Sequence, residues 1–163
     1  LMTAQIGNGG YKIYPKIVVD DDKNVSQVDK FIPLYEDSNN IKIVQDAMYA
    51  STNEVRGTSY RSRIDDPKYR FAGKTGTAQV KKITEKDREL DLKTFEIPYE
   101  ERDHALYVAF GPYKSPRYAL SIIVEHGGNG STTAAPMAKE LFKLLIDRHE
   151  IRQLMDSKRY LEV

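Results

Sequence analysis

The sequence contains no cysteine, which excludes disulfide bonds, thiolate nucleophiles and cysteine-ligated zinc sites. It also lacks any apolar run long enough to span a membrane as a helix. Neither sign of charge dominates, since 25 Lys and Arg residues nearly balance 24 Asp and Glu residues, for a formal net charge of +1. This balance gives no electrostatic reason to expect a nucleic-acid partner. Because 40% of the residues are hydrophobic, the composition is that of a folded domain.

The length of 163 residues is sufficient for one domain with its own core. The chain starts at Leu1, with no basic and apolar leader, and we expect it to be a piece of a longer protein. A short helix end is predicted before Gly9-Gly10, because a glycine pair readily forms a left-handed helix cap. Tyr11 to Asp20 is predicted to be extended and to lie at an edge, because it contains Pro15.

An acidic run and a helix follow. Asp20, Asp21 and Asp22 lack the spacing and the closing Glu of a calcium loop, so a solvated turn is expected. Asn39 or Asn40 is predicted to cap a helix that runs to about Val55 and ends at Gly57. Its apolar positions have helical spacing and are Ile41, Val44, Ala47, Met48 and Val55.

The second half of the chain predicts three antiparallel strands with helices packed against them, an α/β or α+β arrangement. The strands are Phe71 to Lys82, Ala105 to Phe110 and Ala119 to Val124, with a long charged excursion from Ile83 to Asp103. The second and third runs are almost wholly apolar, so helices are expected on both of their faces. A final helix over 134–150 is predicted to be capped by a hydroxyl residue of 131–133. Its apolar stripe is Met137, Leu141, Leu144, Leu145 and Ile151.

The segment Gly73-Lys74-Thr75-Gly76-Thr77 within the first strand carries the clearest chemical signal. Two glycines weaken a strand, so they are expected where a ligand or another backbone comes close. Thr75 and Thr77 share one face, and their hydroxyls could hold a carboxylate beside the ammonium of Lys74. An edge strand also offers backbone N–H groups to an extended peptide. The segment therefore predicts an edge that binds an anionic peptide.

Two other interpretations of this segment compete with peptide binding. Gly73-Lys74-Thr75 matches the end of a phosphate-binding P-loop, but that loop requires a glycine where this chain has Lys68, and a helix afterwards. The residues from Thr75 to Val80 favour a strand instead. The other interpretation is a surface strand in which Lys-Thr-Gly occurs by chance, since a tripeptide alone is weak evidence.

The surrounding sequence resembles the Lys-Thr-Gly box and its neighbours in class B penicillin-binding proteins of the elongation type, the penicillin-binding protein 2 family. The similarity extends over nearly the whole chain, although 20–40 and 82–101 contribute little. Its remaining elements are Thr3 to Gly10 with Pro15, then Met48, Asn53 and Gly57-Thr58, then Arg102 to Leu106 and Ala109 to Pro112, and finally Ile123 to Gly128 and Ala135 to Ala138.

The resemblance implies a peptidoglycan D,D-transpeptidase, in which a serine of a Ser-x-x-Lys box attacks a D-Ala-D-Ala stem peptide or a penicillin. It implies that Lys74, Thr75 and Thr77 orient the substrate carboxylate, with Lys74 as the catalytic residue of this segment. Gly76 would leave room for the substrate, and the Thr77 N–H would be one oxyanion donor. It further implies stem peptides, β-lactams, the cell-elongation machinery and a glycosyltransferase as partners, at the periplasmic face of the bacterial inner membrane. The membrane helix that would anchor the whole protein is absent here.

The nucleophile box itself is absent, because none of the nine serines is followed by lysine at the third position. Ser51-Thr52-Asn53 matches Ser-x-Asn, but it lies inside a predicted helix where the family has no such box. We therefore expect residues 1–163 to be the C-terminal portion of a transpeptidase domain, inactive alone, with both other boxes upstream. The alternatives are a non-catalytic peptide-binding module and a decayed gene product.

No cofactor and no metal site are predicted. The three histidines, His104, His126 and His149, have no second ligand at metal-binding spacing. Asp103 and Glu125 are adjacent to two of them, but neighbours in a strand point to opposite faces. Structural or surface roles are therefore expected for all three.

Overall fold

The computed structural model describes residues 1–15, 32–82, 85 and 92–161, with side chains through 154. Its regular elements are α1 (Met2–Gly7), α2 (Ser38–Asn53), β1 (Ala72–Ala78), β2 (His104–Gly111), β3 (Tyr118–Val124) and α3 (Ala135–Leu161). The predicted acidic turn at Asp20 to Asp22 lies outside the described residues. So do the end of the extended segment from Tyr11 and part of the excursion after Ile83.

The three strands form one antiparallel sheet in the order β1-β2-β3, which confirms the predicted arrangement. In the first pair Thr75 lies opposite Tyr107, and in the second Tyr107 lies opposite Ile122. Residues directly opposite each other share a face, so these three side chains point to the same side of the sheet. This register fixes which residues of β1 face the buried side.

Helix α3 covers that side of the sheet. Phe71 and Phe142 stack there with ring centroids 4.8 Å apart, and Tyr107 meets Phe71 edge to face. The stripe predicted for this helix is wrong: Met137, Leu141, Leu144 and Ile151 are exposed and Leu145 is only half-buried. A π-helical turn at Gly130–Ala134 begins the helix and sets its rotation, and small alanines allow the close approach to the sheet. The buried stripe is Ala135, Ala138, Phe142 and Ile146.

Helices α1 and α2 pack toward the other side, where Met48, Ala72 and Phe110 form a smaller buried cluster. The predicted cap of α2 is wrong by two or three residues, since the Asp37 carboxylate accepts the Asn39 N–H at 2.9 Å. Aspartate is as good a cap as asparagine, and the helix begins two or three residues earlier than predicted. Of the five apolar positions predicted for α2, Met48 is the one that is buried.

Helix α3 lies on one face of β3, and α1 approaches the other face without burying its residues, so the expected helices are present but the expected full burial is not. The residues of β3 alternate between half-buried and exposed, and Ile123 is 62% exposed. The exposed side otherwise carries Ala119 and Ser121, which are small, so an apolar run concealed a two-residue alternation. Within the part of the chain that the structure describes, no helix is both long and apolar enough to cross a membrane.

Candidate functional site

Strand β1 is an edge strand among the described residues, because its one recorded neighbour is β2. The carbonyl of Thr75 points away from β2 and accepts the Lys74 ammonium at 2.9 Å. The carbonyl of Gly73 also points away and accepts the Thr52 hydroxyl at 3.4 Å. Because backbone directions alternate along a strand, the N–H of Thr77 lies on the same open edge. The edge predicted from the sequence is therefore present.

A polar cavity of about 400 Å³ opens beside this edge. All four residues predicted for substrate binding line it, and three further residues from two other segments complete the wall. None of those three was predicted from the sequence as a site residue. The seven residues that line the cavity are Thr58, Lys74, Thr75, Gly76, Thr77, Asn129 and Ser131.

Lys74 is exposed at the boundary between this cavity and a larger groove. Its ammonium reaches the Thr75 carbonyl and lies 3.5 Å from Thr75 Oγ1. Within the described parts of the chain, Lys74 forms no ion pair with a carboxylate. A cation without a carboxylate partner, next to a threonine hydroxyl, is suited to bind an anion. The larger groove has a volume of about 650 Å³, and its walls include Met2, Ile6, Ile43, Val44, Ala47 and Met48.

Each glycine of the Lys-Thr-Gly segment has a close neighbour. A Cβ atom at Gly73 would lie 2.3 Å from the Tyr107 hydroxyl. A Cβ atom at Gly130 would lie 2.5 Å from the Gly76 carbonyl oxygen, so two backbones meet at that point. The sequence predicted close approach by a ligand or by another backbone. Here Gly73 admits a side chain, and Gly76 lies against the backbone that precedes α3.

Three hydroxyl groups form a buried cluster beneath β1. Thr52 and Ser59 contact the Tyr107 hydroxyl at 2.9 and 3.1 Å, and each other at 3.3 Å. Burial raises the pKa of Tyr107 above its ordinary value, although the hydrogen bonds from Ser59 and Thr52 act in the opposite direction. Tyr107 is therefore a neutral phenol at physiological pH, and the cluster has a structural role.

The Ser51-Thr52-Asn53 triplet lies at the end of α2. Asn53 donates to the Phe71 carbonyl at 2.9 Å and to the Tyr49 carbonyl at 3.0 Å, so it joins the helix to the start of β1. Ser51 lies 3.1 Å from the Thr58 hydroxyl, which in turn lies 3.2 Å from Thr75 Oγ1. The triplet thus reaches Thr58, which lines the cavity, through Ser51, and it supports the strand through Asn53.

The segment between β3 and α3 supplies the other wall of the cavity. The Asn129 side chain accepts the backbone N–H of Ser131 at 2.8 Å and its hydroxyl at 2.7 Å. Gly128 has a φ of 78° and donates to the Asp103 carbonyl at 2.8 Å. A left-handed turn of this kind favours glycine. The glycines of 127–130 were a usable signal for this wall, because they allow a tight turn against β1.

The histidines pack within the fold. His104 Nδ1 accepts the backbone N–H of His126 at 2.9 Å, and the two ring centroids are 4.8 Å apart. His149 lies edge-on to Tyr118 with ring centroids 6.0 Å apart. Among the residues whose positions are described, no group of three or more His, Asp or Glu side chains is arranged to hold a metal ion.

A chain with this sheet, open strand edge and polar cavity matches one known protein family. The model of the penicillin binding protein transpeptidase domain matches residues 2–143. This chain therefore belongs to the penicillin-binding protein transpeptidase family. Its similarity is to the penicillin-binding protein 2 type, as the resemblance at Arg102 to Leu106 and Ala109 to Pro112 predicted.

Curated relatives support this type. Peptidoglycan D,D-transpeptidase MrdA of Salmonella typhimurium is 39% identical over 105 residues, which are 64% of this chain and 16% of that protein. MrdA of Haemophilus influenzae is 34% identical over 120 residues, or 71% of this chain and 18% of the relative. The chain therefore spans less than a fifth of the length of these relatives.

Solved structures give the same fold. Pseudomonas aeruginosa PBP2, determined in complex with WCK 5153, has a TM-score of 0.63 and 29% identity, covering 88% of this chain and 28% of that chain. Penicillin-binding protein 2B of Streptococcus pneumoniae has a TM-score of 0.59 at 17% identity, covering 90% of this chain and 23% of its own. The second likeness concerns the fold alone. The predicted fold class, a partial transpeptidase fold, is confirmed.

Proposed function

We propose that this chain supplies the carboxylate-binding strand of a peptidoglycan D,D-transpeptidase whose nucleophilic serine lies outside these 163 residues. The observation that carries the proposal is the grouping of Lys74, Thr75, Gly76 and Thr77 around one polar cavity on an open strand edge. An ammonium, two hydroxyls and a free backbone N–H match the needs of a peptide that ends in a carboxylate.

In the proposed reaction, the serine oxygen attacks the penultimate D-Ala carbonyl of a stem peptide and expels the terminal D-Ala, which leaves an acyl-enzyme. An amine of a second stem peptide then attacks the ester and releases the serine. Lys74 and the hydroxyls of Thr75 and Thr77 hold the terminal carboxylate. The Thr77 N–H stabilises the oxyanion together with the N–H of the serine itself. A β-lactam would acylate the same serine.

The position of Lys74 supports a serine arriving from outside this chain. Lys74 lines both the polar cavity and the apolar groove between α1 and α2. An exposed groove of this size, with Ile43 64% exposed on one wall, is suited to receive a further helix. A helix seated there would carry its side chains next to the Lys74 ammonium. We accordingly propose that residues 1–163 form the C-terminal portion of the transpeptidase domain.

The proposed setting follows from the family. The MrdA relatives are named peptidoglycan D,D-transpeptidases, and we propose the same reaction for the longer protein that includes this chain. Its partners are then peptidoglycan stem peptides and β-lactams, with the cell-elongation machinery and a glycosyltransferase as further partners. The periplasmic face of the inner membrane is the proposed location, because the substrate is assembled there.

Acylation kinetics of the longer protein test this proposal. Lys74→Ala should lower the second-order rate constant for benzylpenicillin about 100-fold, because a charge-assisted contact to the carboxylate is lost. Thr75→Val should lower it less, about tenfold, because the charge of Lys74 remains. Lys114→Ala is the matched control, since Lys114 is an exposed lysine of the β2–β3 turn and does not line the cavity.

Two results would contradict the proposal. Equal acylation rates of the Lys74→Ala and Lys114→Ala variants would show that Lys74 is not part of the carboxylate-binding site. A longer protein that binds peptides ending in a carboxylate, but never forms a penicillin adduct, would favour the non-catalytic binding module. Circular dichroism of each variant separates loss of function from loss of fold.

A further inference from the structure

Three hydroxyl groups form an exposed chain that ends at the candidate site. Ser51 Oγ lies 3.1 Å from Thr58 Oγ1, and Thr58 Oγ1 lies 3.2 Å from Thr75 Oγ1. The Lys74 ammonium lies 3.5 Å from the same Thr75 oxygen. Among the described residues, Thr58 is therefore the one that joins the end of α2 to the Thr75 hydroxyl through hydrogen bonds.

The local backbone holds Thr58 in this position. A Cβ atom at Gly57 would lie 2.3 Å from the Ser51 carbonyl oxygen, so glycine is needed where the chain passes the end of α2. Ser59 donates its backbone N–H and its hydroxyl to that same carbonyl, both at 3.0 Å. Ser59 also contacts the buried Tyr107 hydroxyl at 3.1 Å. With both neighbours anchored, Thr58 is presented to the cavity on a fixed turn.

The direction of the hydrogen bonds matters because a hydroxyl has one proton and two lone pairs. At 3.2 Å either hydroxyl of the Thr58–Thr75 pair can donate. If Thr75 donates to Thr58, its proton is already used, and its lone pairs would face an incoming anion. If Thr58 donates, Thr75 Oγ1 accepts from Thr58, and the Thr75 proton is free for a carboxylate.

We infer that Thr58 is a positioning residue: its hydroxyl donates to Thr75 Oγ1 and thereby turns the Thr75 proton toward the substrate carboxylate. Ser51 completes the chain by donating to Thr58, so that all three protons point toward the anion. The same direction serves a stem peptide and a penicillin, because both present a carboxylate. The inference rests on the proposed function and deepens it, since it names what orients the anion-binding hydroxyl.

The test is a double-mutant cycle on the longer protein, with the acylation rate constant for benzylpenicillin as the readout. Thr58→Val removes the hydroxyl at nearly constant volume, and we expect a loss of about fivefold to tenfold. Thr58→Ser retains the hydroxyl and should stay within about twofold of the unmodified protein. In a Thr75→Val background, Thr58→Val should cause no further loss, because the hydroxyl that it orients is gone.

A second readout uses benzylpenicillin methyl ester, in which the carboxylate is esterified. The ester should react slowly with the unmodified protein, and Thr58→Val should leave its rate unchanged. A residue with a purely structural role would slow both compounds alike. Thermal unfolding of the Thr58→Val and Thr58→Ser variants identifies any general loss of stability.

Several outcomes would overturn the inference. These are equal losses from Thr58→Val with and without the Thr75 hydroxyl, an equal loss with the methyl ester, and unchanged acylation of Thr58→Val by benzylpenicillin. Failure of the proposed function looks different, because the unmodified longer protein would then form no adduct at all. That result would remove both the function and the inference that depends on it.

Discussion

Two sets of three hydroxyl groups lie at strand β1, and they differ in burial. Thr52, Ser59 and Tyr107 form the inner set, in which all three residues are buried. Ser51, Thr58 and Thr75 form the outer set, which opens into the polar cavity. Burial therefore decides the role of a hydroxyl group here. The inner set has no access to a ligand, whereas the outer set ends at one open position.

The hydrogen-bond partners of the two sets reflect this difference. In the inner set each hydroxyl contacts both of the others, and Thr52 and Ser59 also reach backbone carbonyls. In the outer set Thr75 has a single hydroxyl neighbour and the Lys74 ammonium. A satisfied buried cluster stabilises the fold, while an incomplete exposed set retains capacity for a ligand.

The largest expected effect comes from closing the space between β1 and the inner set. In Gly73→Ala the new methyl group would lie 2.3 Å from the Tyr107 hydroxyl and displace it. We expect a loss of about 3 kcal/mol in the free energy of unfolding, from steric overlap plus broken buried hydrogen bonds. Urea unfolding of the 163-residue chain measures this loss.

Gly76→Ala is the matched control for that experiment. Its new methyl group would meet the Leu106 side chain at 3.3 Å, a milder contact, and should cost less than about 1 kcal/mol. If the two substitutions destabilise the chain equally, the loss at Gly73 reflects the general effect of replacing a strand glycine. The inner set would then have no special part in it.

A smaller effect is expected from removing one hydroxyl of the inner set. Tyr107→Phe leaves Thr52 and Ser59 without a shared partner, although each retains a backbone acceptor, so we expect a loss of about 1 kcal/mol. Tyr14→Phe, at an exposed tyrosine, should change stability by less than about 0.5 kcal/mol. Thermal or urea unfolding compares the two variants. If Tyr107→Phe causes no greater loss of stability than Tyr14→Phe, the claim that the inner set stabilises the fold is contradicted.

The strand at the centre of both sets was predictable from the sequence. Paired glycines around Lys74 indicated close approach, and alternating threonines indicated a face that could bind an anion. The structure places all four predicted residues around one cavity, and the sheet has the predicted strand order. A local pattern of this kind is predictable because all its residues lie in one strand, and strand geometry fixes their relative positions.

The residues that pack around β1 were less predictable, because they come from distant parts of the chain. Thr58 and Asn129 reach the cavity only once two separate turns pack against β1. Helix α3 begins with a π-helical turn, and its buried face holds Phe142 while Leu144 is exposed. An apolar stripe normally identifies the buried face of a helix, but two of the residues buried in α3 are alanines, and the larger Leu141 and Leu144 are exposed. Such features depend on tertiary packing and have no signature at one position.

The most direct measurement is the intact mass of two proteins after incubation with benzylpenicillin. One is the 163-residue chain, and the other is the longer protein that contains it. Because we propose that Lys74 and Thr75 assist acylation without supplying a nucleophile, we expect one covalent adduct on the longer protein and none on the chain. A stoichiometric adduct on the chain, mapped to Ser51 or any other of its serines, would contradict the assignment of β1 as a substrate strand only.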